Sequence, residues 1–127
     1  MILDSNIVIY AVMPEYEDLR KFLKKHEYNL AVSAITKLEV LGYHKLSSRE
    51  KEILQKFFEA IRQIPVSQTI IDKAVELRQS QKMSMGDALI ASTTLLENDT
   101  LLTNNEDDFK NIEGLKVLPL KDLDKQQ

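Results

Sequence analysis

The sequence predicts an α/β domain with a mostly parallel central sheet covered by helices on both faces. Three observations predict it. Short apolar runs (Met1–Leu3, Leu30–Ser33, Thr100–Thr103, Lys116–Pro119) alternate along the chain with longer segments whose apolar residues recur at helical spacing. The connections between these runs are long enough to carry a crossover helix, which parallel pairing requires. Several runs end directly in turn or cap residues, as at Asp4-Ser5-Asn6, Ser33 and Asn104-Asn105.

Each element follows from its residues. Met1–Leu3 reads as a buried strand that stops at Asp4, and Ile7–Val12 as a short helix that Pro14 helps to end. Asp4 can cap that helix. It can also serve as a ligand at the strand's carboxyl end, where open α/β sheets bind ligands. Glu17–Lys25 is a helix with Leu19, Phe22 and Leu23 on one face and Arg20, Lys21, Lys24 and Lys25 elsewhere. Asn29–Ser33 is a second strand, and Ser33 caps a helix over Ala34–Tyr43 on which Thr36 and Glu39 share a face. Ser47-Ser48-Arg49-Glu50 is a capping box before a helix packed through Ile53, Leu54, Phe57, Phe58 and Ile61.

Ile64-Pro65-Val66 reads as a brief extended piece. Thr69-Ile70-Ile71-Asp72 reads as a capping box for a helix reaching about Gln79. Ser84-Met85-Gly86-Asp87 opens the most apolar helix, through Leu95 and Leu96; Asp87 there is either half of a variant capping box or a site residue. Asn98-Asp99 is a turn and Thr100–Thr103 a strand, followed by Asn104-Asn105-Glu106-Asp107-Asp108. Gly114 precedes the last strand, and the polar tail Lys121–Gln127 is expected to fray.

Composition narrows the function. The 127 residues suit one domain over 1–127. There is no cysteine, which excludes disulfide and thiol chemistry and fits a reducing cytoplasm. No signal pattern appears, because Asp4 interrupts the early apolar run, and no apolar stretch suggests a membrane span. With 17 Lys+Arg against 20 Asp+Glu the net charge is −3, so nucleic acid must be met locally or with metal ions screening the acids. His26 and His44 lack metal-ligand spacing and read as surface histidines.

In a parallel sheet the strand carboxyl ends and the following helix N-termini lie at one edge. Asp4, Glu39, Asp87 and Asp107 or Asp108 therefore converge there. Clustered carboxylates raise one another's pKa and are held ionised by a divalent cation; an all-oxygen donor set favours Mg²⁺ or Mn²⁺. Such a site suits hydrolysis of a phosphodiester by a metal-activated water. Ser5, Asn6, Thr36, Asn104 and Asn105 supply hydrogen bonds around it. No P-loop, HExxH or Gly-x-Ser-x-Gly motif is present.

Four motifs in order, LDSNIVIY at 3–10, SAITKLEV at 33–40, SMGDALIAS at 84–92 and LLTNNEDDF at 101–109, resemble the PIN-domain ribonucleases, in particular the VapC-type toxins of toxin–antitoxin pairs. The resemblance implies a three-layer α/β/α PIN-like fold and a Mg²⁺-dependent endoribonuclease acting on single-stranded segments of RNA. It implies a metal centre of Asp4, Glu39 and Asp87. Asn105 stands where many relatives carry an acid, and Asp108 replaces it, with Asp107 as rival. It also implies a homodimer silenced by a small cognate antitoxin that covers the acidic site. Arg20, Lys21, Lys24, Lys25, Lys45 and Arg49 are candidate contacts to the RNA backbone. The alternatives are a PIN-fold binding module without catalysis and an acid-clustered domain such as a receiver-like phosphoacceptor. The latter lacks its paired acidic step, since Asp4-Ser5-Asn6 is not such a pair, and no Lys follows Thr103 closely.

Overall fold

Strand β1 (Ile2–Leu3) is short because Asp4 ends it: the Asp4 carboxylate accepts from the Ser5 backbone N–H and starts helix α1 (Ser5–Ala11). The computed structural model describes residues 1–126, with side chains described through Leu123. The order continues α2 (Glu17–Lys25), β2 (Ala31–Ser33), α3 (Ala34–Leu41), α4 (Ser48–Ala60), β3 (Arg62–Ile64), α5 (Gln68–Ser80), α6 (Met85–Leu96), β4 (Thr100–Thr103) and β5 (Lys116–Pro119), with 3-10 turns at Glu27–Asn29, Glu106–Phe109 and Leu120–Gln126.

The five strands form one sheet in the order β3-β2-β1-β4-β5, and every pairing is parallel. Period-two alternation makes it the middle of three layers. Leu3, Val32, Leu102 and Leu118 pack with Ile7, Val8, Leu19, Phe22, Leu54 and Phe58 of α1, α2 and α4. Their neighbours Ile2, Ala31, Ile64 and Leu101 pack with Ile70 and Leu77 of α5 and Ile90 of α6. Full burial of each such aliphatic or aromatic side chain contributes about 1.5–3 kcal/mol. Helix α6 is apolar on nearly every side. It buries Thr93 and Thr94 by returning their hydroxyls to the carbonyls of Leu89 and Ile90 at 2.7 and 2.9 Å.

From β1 the chain adds β2 and β3 on one side, then crosses to add β4 and β5 on the other. The carboxyl ends of β1 and β4 therefore flank a topological switch point, where the loops diverge and leave a crevice.

Several boundaries differ from the sequence reading. Helix α1 begins at Ser5, next to its cap, and β2 begins at Ala31 because Asn29 is held in the 3-10 turn. The extended piece is Arg62–Ile64, paired residue for residue with Ala31–Ser33; Pro65 has no N–H to continue the ladder. The cap of α5 is Ser67, which accepts from the Ile70 N–H at 3.2 Å, and not Thr69; Asp72 instead accepts from the Gln68 amide. His26 is half-buried and not a surface residue. Its ring lies 4.5 Å from that of Phe22, and its Nε2 is buried without a partner among the described residues. The chain enters a 3-10 turn over Leu120–Gln126, with Leu123 in the core; Gln127, the end of the stretch expected to fray, lies outside the described residues.

Candidate active site

The crevice is built from the ends of β1 and β4. Asp4 extends the ladder, its N–H donating to the Leu102 carbonyl at 3.0 Å, so its side chain stands beside Thr103. The Thr103 hydroxyl donates to Asp4 Oδ2 at 2.7 Å and accepts from the Asn105 N–H at 3.0 Å. Asp4 is 6 % exposed and Thr103 is fully buried, so this carboxylate has little water. Its two oxygens are oriented by different elements: Ser5 N–H holds Oδ1 and Thr103 holds Oδ2. Burial pushes the Asp4 carboxyl above the usual range against the opposing pull of those hydrogen bonds, and the nearby Asp108 pushes it further. Asp4 is thus a helix cap that also stands at the β1–β4 crevice.

Asp87 arrives from the first turn of α6. Ser84 caps this helix by accepting from the Asp87 N–H at 3.0 Å, but Asp87 does not make the reciprocal bond that Glu50 makes in α4, so its carboxylate is not consumed by a capping box. It too is raised, first by burial, then by Asp4, Asp108 and Glu39, with Ser84 acting the other way. One electrostatic network therefore links all four expected acids.

Glu39 comes from α3 and is exposed. The Ser5 hydroxyl donates to its Oε1 at 2.9 Å, which ties α3 to the start of α1. Gly86 admits it: a Cβ at that position would stand 3.0 Å from Glu39 Oε2. Thr36, one turn earlier on α3, is fully buried with its Oγ1 unpartnered among the described residues, so it does not share the solvent face of Glu39. Asn6 lies half-buried in the first turn of α1. Asn104 donates to the Tyr10 hydroxyl at 3.2 Å, and Asn105 contributes its backbone N–H to Thr103.

Asp107 and Asp108 separate. Asp107 pairs with Lys110 at 2.9 Å, whereas Asp108 acts on both Asp4 and Asp87. Thr103 and Gly86 are contributions that the sequence reading missed, whereas the cap at Ser84 was expected. The signal for Thr103 is its place as the last residue of a strand beside β1.

The donor set is all oxygen, with no thiolate or imidazole, and suits a hard divalent cation. Two carboxyls raised by burial at the strand edge fit a group that would favour their ionised form. Among the described residues no group of three or more His, Asp or Glu side chains stands so placed that it could hold a metal ion, so the acids share an edge without forming a ready-made ligand cage. Of the six cations expected to meet RNA, Arg20 turns back onto the carbonyls of Met13 and Pro14, Lys21 pairs with Glu17 at 3.7 Å and Lys24 with Glu27 at 2.9 Å. None of the six lines the groove beside Asp87 and Asp108; Arg78, Lys82 and Lys110 do.

A family model described as the PIN domain matches residues 1–115. No curated protein matches the chain. Among solved structures, it is similar to a chain of a toxin–antitoxin complex from Klebsiella pneumoniae at 29% identity, covering 92% of this chain and 94% of that one with a TM-score of 0.76. It is similar to a chain of VapBC2 from Rickettsia felis bound to a DNA fragment from their promoter, at 27% identity over 93% and 96% of the two chains, TM-score 0.81. The likeness to DNA-bound VapBC from Salmonella typhimurium, at 18% identity, 93% and 96% coverage and TM-score 0.82, is one of fold. No helix among the described residues is long and apolar enough to cross a membrane.

Proposed function

The chain belongs to the PIN-domain family, and from that premise we propose that it is a divalent-metal-dependent endoribonuclease, the toxin of a toxin–antitoxin pair. The observation that carries the reading is the gathering of the acids at the β1–β4 switch point: Thr103 and the Ser5 N–H hold Asp4, the Ser5 hydroxyl holds Glu39, Glu39 lies against Gly86 beside Asp87, and Asp87 and Asp108 line one groove. Asp4, Glu39 and Asp87 would hold Mg²⁺ or Mn²⁺, with Asp108 completing the acidic set. When bound, such an ion lowers the pKa of a water and steadies the charge on phosphate oxygens.

The chain's own residues prepare that chemistry. Thr103 and the Ser5 N–H fix the Asp4 carboxylate in one orientation, so little reorganisation is needed on binding. The Ser5 hydroxyl aims Glu39 toward the same crevice, and Gly86 leaves it room. Burial of Asp4 makes the site selective for positive charge, whether from a cation or from a basic antitoxin side chain. The relatives solved in toxin–antitoxin complexes support a small cognate antitoxin as partner. Exposed Ile71, Val75 and Met85 around the α5–α6 groove support a homodimer. Its place of action would be the cytoplasm, where RNA is at hand and a chain without cysteine needs no oxidising environment.

The test is cleavage of an unstructured RNA by the purified protein with and without Mg²⁺, alongside Asp87→Asn. Mg²⁺-dependent cleavage that Asp87→Asn abolishes, with an unchanged circular dichroism spectrum, is the expected result. Full activity in Asp87→Asn would reject the site. An inactive wild type that still binds its antitoxin would instead favour a binding module without catalysis.

A further inference from the structure

The groove that opens beside Asp87 and Asp108, about 670 Å³ in volume, is also lined by cations that the acid chemistry does not use. One wall is the end of α5 and its connection to α6, carrying Arg78 and Lys82. The other is the segment after β4, carrying Asp107, Asp108 and Lys110. The walls are tied together: the Gln81 side-chain amide donates to the Lys110 carbonyl at 3.1 Å across them. Arg78 is anchored as well, its Nε donating to the Met83 carbonyl at 3.1 Å. Its terminal amino groups make no hydrogen bond among the described residues, and Lys82 is exposed with no ion pair there. Lys110 is different, because Asp107 matches its charge at 2.9 Å. The groove thus carries, besides its carboxylates, two cations without an acidic partner among the described residues.

We infer that Arg78 and Lys82 seat a backbone phosphate of single-stranded RNA next to the one being cut, an inference that rests on the nuclease reading. A polyanion laid over carboxylates is repelled along its length. A divalent ion would offset that repulsion only at the scissile phosphate, so the adjoining phosphate needs a cation of its own. Arginine suits the task, since a guanidinium held through Nε still presents a fork of N–H donors to phosphate oxygens. Lysine adds a mobile point charge that follows the flexible backbone. The arrangement holds the strand in the same groove that Asp87 and Asp108 line. It reads no base, so any single strand can be held this way.

The experiment uses the whole protein and a short unstructured oligoribonucleotide at a series of KCl concentrations, comparing wild type, Lys82→Ala, Arg78→Ala and Lys82→Arg. Cleavage kinetics with Mg²⁺ and binding by fluorescence anisotropy without it are both read. Each alanine variant should raise KM roughly two- to fivefold with kcat within about twofold, the scale of one exposed charge pair. The salt dependence of affinity should become shallower by about 0.7 in log–log slope for each phosphate of a single strand that is no longer held. Lys82→Arg should restore both. Lys82 has no hydrogen bond to lose, so its variant also controls for misfolding. An unchanged KM and salt slope in Lys82→Ala and Arg78→Ala, with wild type active, would overturn the inference. If wild type does not cleave, the nuclease reading falls on its own, and the anisotropy slopes still decide whether these two cations hold RNA.

Discussion

Gly86→Ala separates the stability of this fold from its chemistry. Gly86 is the second residue of α6, and in a helix alanine is favoured over glycine by about 0.5–1 kcal/mol. Against this, the new methyl would stand 3.0 Å from Glu39 Oε2, 3.4 Å from its Cδ and 3.5 Å from its Oε1, where about 3.5–4 Å is comfortable. The obstacle is the end of an exposed, flexible side chain, so relief requires only that the carboxylate retreat by a few tenths of an ångström. The retreat strains the hydrogen bond from Ser5, worth about 1 kcal/mol. These terms nearly cancel, and the unfolding free energy should stay within about 1 kcal/mol of wild type.

Activity should not be spared. Misplacement of a catalytic group by about 1 Å can cost 10²-fold, so a smaller displacement of Glu39 should lower cleavage on the order of tenfold and raise the Mg²⁺ concentration needed for half-maximal rate. Thermal unfolding and a Mg²⁺ titration of RNA cleavage, run on the same preparation, measure both. Unaltered cleavage and Mg²⁺ dependence at unaltered stability would refute the placement of Glu39 in the site. A loss of several kcal/mol would show that the methyl meets something rigid and refute the packing argument.

The remaining predictions concern the buried carboxylates. Because burial raises Asp4 above its unfolded value, its contribution to the metal-free protein is fully present below the unfolded pKa and is lost as pH rises through the raised one. Asp4→Asn should therefore flatten the fall in stability between acidic and neutral pH, though Asp87, raised in the same sense, keeps part of it; parallel denaturation profiles for the two proteins would contradict this. Thr103→Val removes the donor to Asp4 and the acceptor of the Asn105 N–H together, and should cost about 2–4 kcal/mol by urea unfolding, with Thr103→Ser close to wild type. Asp108→Ala should reduce Mg²⁺-dependent cleavage more than Asp107→Ala, since Asp107 is turned to Lys110; the opposite order in a rate comparison would move the fourth acid by one residue.

Much of the fold was legible because it is local. The capping box Ser47–Glu50, the cap at Ser33 and the apolar spacing of α2 and α4 each involve residues within one or two helical turns. Legibility failed where two neighbouring hydroxyls compete. Ser67 and Thr69 can each cap a helix, and the choice fell to Ser67 once Pro65 had ended the pairing of β3. It also failed for His26, which stands four residues after Phe22, a spacing at which helical side chains meet, but lies at the cap just past the end of α2.

What the sequence by itself determined is the order and kind of the elements and the identity of the acids that end or follow them, since caps, periodicity and strand length are written in adjacent residues. Tertiary structure alone decided what those acids meet. Thr103 bonds Asp4 across 99 positions, Ser5 holds Glu39 across 34, and the Gln81 amide closes the groove onto Lys110 across 29. These pairings depend on which parallel strands become neighbours and at which register, a choice made by burying both faces of the sheet at once. No local pattern encodes that choice, because it is the packed core that brings the distant residues together.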